Sequence, residues 1–65
     1  AVHQPDASLP TFEVAARTAI ERTLTRTRGR VEGVGGAAEL LALLPGTLRG
    51  KMRRLGIDVR LFAPG

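Results

Sequence analysis

Near the C-terminal end of the chain, "GTLRGKMRRLGI" (46–57) places Arg49, Lys51, Arg53 and Arg54 within six residues and threads Leu48, Met52, Leu55 and Ile57 between them. Cations at this density suit a polyanion: they neutralise phosphates and displace condensed counterions. Arginine can also address a guanine edge through two parallel hydrogen bonds. The interleaving matters as much as the charge. At about 3.6 residues per turn, Leu48, Met52 and Leu55 gather on one side of a helix. Thr47, Gly50, Arg53 and Arg54 take the far side, with Arg49 and Lys51 on the flanks. One face is made to pack, and the other is offered to a partner.

Other chemistry has little to work with. There is no cysteine, and the single histidine, His3, lies in a leader with two prolines. No close pair of carboxylates shares a face suited to acid–base work. No catalytic residue, metal ligand or cofactor is therefore expected, and the chain reads as a non-enzyme. "GVGGAA" satisfies G-x-G-x-x-A through Gly33, Gly35 and Ala38, with Asp58 twenty residues on. A dinucleotide site, however, needs a preceding strand within a βαβ unit of about 30 residues, and nothing here reads as one. These glycines read instead as a loop entering a helix N-terminus at Gly36, where backbone N–H groups can meet a DNA phosphate.

Bulk properties frame the same reading. A chain of 65 residues buries only about 60% of its unfolded surface. Without disulfides or a structural metal, so small a core is expected to draw support from a second copy of itself. Net charge is +4 and the pI is near 11.5. The cations cluster at Arg26, Arg28 and Arg30 and again at 49–54. Such patches are the footprint of a nucleic-acid binder; the plain alternative is a solvated charged face. No apolar run reaches the ~18 residues of a membrane span, and no leader suggests secretion. A cytoplasmic location without membrane attachment is expected.

Three helices are expected. Residues 1–10, "AVHQPDASLP", read as a linker or tag remnant. Thr11 can cap a helix running to about Thr27, with Glu13 near the positive end of the dipole. Phe12, Ala16, Ala19, Ile20, Thr23 and Thr27 form its apolar stripe, while Glu13, Arg17 and Glu21 line another side at i,i+4 spacing. Small residues let a second helix approach closely. Phe12, Ala16, Ala19, Ile20 and Thr23 are thus the expected dimer interface, although the stripe can equally cover the chain's own core. "RGRVEGVGG" must be a connection, because glycine costs up to about 1 kcal/mol in a helix interior. A second helix is expected through "AAELLALL", with Ala37, Leu40 and Leu41 inward and Glu39 outward. Pro45 ends it and opens a third, which runs to about Leu55. Gly56 suits a left-handed stop, and Ile57 can fold back onto the core.

Two short helices joined by a tight turn, the second with a positive outer face, have the layout of a helix-turn-helix. Residues 30–57, through Ala37-Ala38-Glu39-Leu40-Leu41, Thr47-Leu48-Arg49 and Leu55-Gly56-Ile57, closely resemble the Fis-type helix-turn-helix at the C-terminus of sigma-54-dependent, NtrC-type transcriptional activators. A weaker match of residues 11–29 to that family's first helix extends the resemblance to 11–57, leaving 58–65 as a C-terminal tail. The resemblance implies an all-α domain with a long first helix followed by a helix-turn-helix, assembled as a two-fold homodimer. It implies duplex DNA as partner, with the third helices in successive major grooves of an upstream inverted repeat. Thr47, Arg49, Gly50, Lys51, Arg53 and Arg54 lie on the recognition helix, the early residues nearer bases and the later cations nearer phosphates. A missing side chain at Gly50 can let the backbone approach DNA, or Gly50 is simply a tolerated weak helix former. In such bacterial, nucleoid-associated regulators a separate ATPase domain acts on sigma-54 RNA polymerase.

This chain departs from the family pattern in four places. Ala42 stands where the turn usually has glycine, and Leu44 where a polar residue, often asparagine, is usual. Gly29 stands where a tryptophan is common, and Val59, Leu61 and Phe62 of the tail have no assigned place. The rival readings are a dimerisation module with weak or degraded DNA recognition and a stand-alone Fis-like architectural protein.

Overall fold

A computed structural model describes residues 11–64. The leader 1–10, with His3, lies outside the described residues. Three helices follow in order, α1 at Phe12–Thr27, α2 at Ala37–Leu40 and α3 at Pro45–Leu55, and then a single 3₁₀ turn at Val59–Leu61. Among the described residues there is no strand. The architecture is all-α.

Local signals account for the ends of α1 and α3. Thr11 holds an extended backbone, and its hydroxyl accepts the Val14 N–H at 3.2 Å, satisfying one of the orphan donors of the first turn of α1. Pro45 occupies the first turn of α3, where its missing N–H has no helical partner to lose. Each helix closes in the same way. A left-handed residue, next after α1 and α3 and one further on after α2, donates to a carbonyl three back, while its successor donates five back. The second of these bonds is Gly29 to Leu24 at 2.8 Å for α1, Leu43 to Ala38 at 2.8 Å for α2, and Ile57 to Met52 at 2.9 Å for α3. The left-handed residue is a glycine only in the third case, Gly56; in the first two it is Arg28 at φ 56° and Ala42 at φ 57°. A side chain in that conformation costs about 1–2 kcal/mol.

This closure shortens α2. The sequence suggests a helix through Leu44, but the chain leaves it after Leu40 because Ala42 reverses the backbone. Ala37 and Ala38 are buried, Leu41 is half-buried, and Leu40 is 51% exposed. The expectation that Leu40 faces inward is therefore wrong. Residues 37, 38 and 41 share the packed side, and Leu40 sits between them on the outer one.

The core joins Ile20 and Leu24 of α1, Val31 of the connection, Ala37 and Ala38 of α2, and Leu48 and Met52 of α3. Burying a leucine such as Leu24 or Leu48 completely stabilises the fold by about 1.5–3 kcal/mol. The buried edge of α1 differs from the expected stripe. Leu24, outside that stripe, is fully buried, whereas Phe12 at its head is 82% exposed. The connection is pinned, with Ala37 and Ala38 donating back to the Arg30 and Val31 carbonyls at 2.8 and 3.0 Å. The tail belongs to the same core: Val59 and Phe62 pack against it, next to Leu55 and Ile57.

Candidate nucleic-acid interface

The segregation of α3 is complete. Leu48 and Met52 are buried and Leu55 is half-buried, while Gly46, Thr47, Arg49, Gly50, Lys51, Arg53 and Arg54 are all exposed. Thr47, Gly50, Lys51 and Arg54 line one shallow depression of about 290 Å³ on the outer face. Nothing lies within 4 Å of where a Cβ on Gly50 would sit, so internal packing does not require glycine there. Among the described residues, Lys51, Arg53 and Arg54 have no carboxylate partner.

Arg49 does have one. Its Nη1 donates to Oε1 of Glu32, from the connection before α2, in an ion pair whose side chains are both about half exposed. Arg49 and Arg53 also border a concavity of about 500 Å³ between residues 29–31, α3 and the tail. Arg17 of α1 donates through Nη2 to the Leu55 carbonyl and so caps the C-terminus of α3 with a positive charge. In the tail, Arg60 grips Asp58 with Nε at 3.0 Å and Nη2 at 2.9 Å, while its backbone N–H adds a third bond. The guanidinium, and after it the N–H, holds the Asp58 carboxyl below its ordinary value of 3.8. The basic cluster of Arg26, Arg28 and Arg30 is exposed, with Arg30 donating to the Val34 carbonyl.

Gly36 does not join this surface. It is buried, and its N–H is taken by the Gly33 carbonyl at 3.0 Å. A Cβ there would fall 2.5 Å from the Glu32 carbonyl oxygen. The residue is glycine for close backbone packing, and the expected phosphate contact through its N–H is withdrawn.

The expected dimer stripe divides in two. Ile20 is 3% exposed, its side chain committed to the chain's own core. Phe12 and Ala19 are exposed, and Ala16 and Thr23 are half-buried. Phe12, Ala15, Ala16, Ala19 and Ile20 line a mostly apolar groove of about 340 Å³ together with Leu41 and Leu43, and Lys51 of α3 also borders it. Leu41, expected to face inward, reaches the groove from the end of α2, whereas Leu43 is carried there by the left-handed turn at Ala42.

Compared with protein-family models, curated proteins and solved structures, the chain has no match. Among the described residues no group of three or more His, Cys, Asp or Glu could hold a metal ion. Among the described residues no helix is long and apolar enough to cross a membrane.

Proposed function

We propose that this chain is a Fis-type, sequence-specific DNA-binding domain of a bacterial sigma-54-dependent activator, in which α2 and α3 form the helix-turn-helix and α3 enters the major groove. One observation carries the reading. α3 buries Leu48 and Met52 and turns Thr47, Gly50, Lys51 and Arg54 outward as one surface. That surface offers a hydroxyl, bare backbone and two cations with no carboxylate between them, a set suited to base edges near the helix start and phosphates beyond it. The turn at Ala42 supports the reading further, since it takes the left-handed conformation for which the family uses glycine.

In this proposal two copies pair across the groove of Phe12, Ala16, Ala19, Leu41 and Leu43, and their α3 helices address an inverted repeat. Contact with sigma-54 polymerase belongs to other domains of a longer protein. Selection from random duplexes, followed by binding titrations across a salt series, tests it. The expected result is an inverted repeat, bound with a log–log salt slope of about −0.9 per phosphate neutralised. No binding at low salt rejects the reading. Dimerisation is tested by Ala19→Asp, which charges the groove without entering the core; a dimer surviving in sedimentation would place the interface elsewhere.

Leu44 favours a second reading. It occupies the N-cap of α3, is 75% exposed and makes no capping bond, so a polar reader is missing at the groove end. A dimeric module with weak recognition, or an architectural protein, would bind duplexes with the same salt slope but recover no consensus.

A further inference from the structure

Leu44 is unsuited to its place on two counts. At an N-cap, leucine leaves the first-turn N–H groups without a side-chain acceptor, and at 75% exposure its side chain gains little from packing. Neither helix capping nor the core explains it.

Its position along α3 suggests what does. Leu44, Thr47, Lys51 and Arg54 follow at i, i+3, i+7 and i+10, the spacing of one line along a helix, and all four are exposed. The line starts apolar, passes through a hydroxyl and ends in two cations. A recognition helix puts its N-terminal residues closest to base edges, and phosphates lie towards the grooves' rims. In the major groove the one methyl group that a base pair presents is the C5-methyl of thymine; cytosine has only a hydrogen at that carbon, and the remaining groups that tell the bases apart are hydrogen-bond donors and acceptors. We infer that Leu44 reads thymine, packing its exposed side chain on the C5-methyl of one T·A pair in each half-site. The inference rests on the DNA-binding reading above and replaces the hydrogen bond of a polar N-cap residue with an apolar contact.

The test uses the whole chain and the duplex recovered by selection, with each thymine replaced in turn by deoxyuridine, which lacks only that methyl. Burying one methyl-sized group is worth about 0.8 kcal/mol, or roughly four-fold in affinity. One deoxyuridine position per half-site should therefore weaken binding about four-fold, and both together by roughly 15-fold. In Leu44→Ala the same replacements should have no effect. That variant keeps an exposed apolar residue at an already poor cap, and circular dichroism can verify its helices. If wild type binds the selected duplex but no uridine position matters, or if Leu44→Ala keeps the full discrimination, the thymine contact is wrong while DNA binding stands. If wild type binds no duplex at low salt, both readings fall together.

Discussion

Gly29 and Ala63 lie against each other because one of them lacks a side chain. A Cβ on Gly29 would sit 3.1 Å from the Ala63 nitrogen and 3.1 Å from the Val59 carbonyl oxygen, and Gly29 itself is left-handed at φ +81°. The glycine at 29 and the added tail thus account for each other. Without a side chain at 29, the backbone of Val59 and Ala63 comes up against the end of α1, while Val59 and Phe62 pack on the core. Gly29→Ala should lower stability by more than about 1 kcal/mol, since strain and backbone contact act together. Ending the chain after Asp58 should cost about 2 kcal/mol through the lost half-burial of Val59 and Phe62. Urea unfolding measures both, and an unchanged midpoint in either would dissociate the tail from the core.

Ala42 keeps a left-handed backbone without being glycine. Ala42→Gly should raise stability by up to about 1 kcal/mol, and Ala42→Val should lower it by at least as much, because a β-branched residue tolerates that region worst. Thermal melts of the pair decide it. Equal melting temperatures would mean that the turn relaxes to another conformation.

Glu32 holds Arg49 in an ion pair, and on the proposed DNA-binding reading it competes with the duplex for that guanidinium. While the pair is closed, the guanidinium adds no net charge to the outer face of α3. Glu32→Gln should tighten binding to arbitrary duplexes by up to about five-fold, the scale of an exposed ion pair. It should also steepen the salt slope by about one unit. In an Arg49→Met background the gain should largely vanish. The same gain in both backgrounds would mean that Glu32 acts only as a distant negative charge.

Gly50 separates stability from binding. With open space around its Cβ position, Gly50→Ala should stabilise α3 by about 1 kcal/mol. If the α3 backbone approaches DNA closely there, the same change should weaken duplex binding several-fold. Calorimetry and a binding titration on one preparation read both effects, and unaltered affinity would leave Gly50 no role in the interface.

Asp58 sets a small acid dependence. Its folded-state pKa lies below the ordinary 3.8, chiefly through the Arg60 guanidinium. The associated stabilisation is present above the unfolded value and is lost as pH falls through the folded one. Asp58→Asn should therefore flatten the stability curve below about pH 4 and change nothing in its shape near neutrality. A steeper acid limb in the variant would contradict the assignment.

Much of this was legible before any fold was known. Thr11 as a cap, Pro45 as an opening residue and Gly56 as a left-handed stop mark the bounds of α1 and α3. The alternation of leucine and cation along 48–54 separates buried from exposed on α3. These are local effects: a cap bonds within its own first turn, and a helix's period assigns its faces from adjacent residues alone.

The remainder was decided between segments distant in the chain. That Leu24 rather than Phe12 anchors α1 depends on where Leu48 and Met52 arrive. Gly36 loses its N–H to Gly33 because the connection folds back on itself, and Leu43 meets α1 only after Ala42 reverses the chain. The tail settles on Gly29 for the same kind of reason. Spacing in a sequence fixes which residues share a face, but burial is a property of two surfaces, and the second is supplied only when the helices pack.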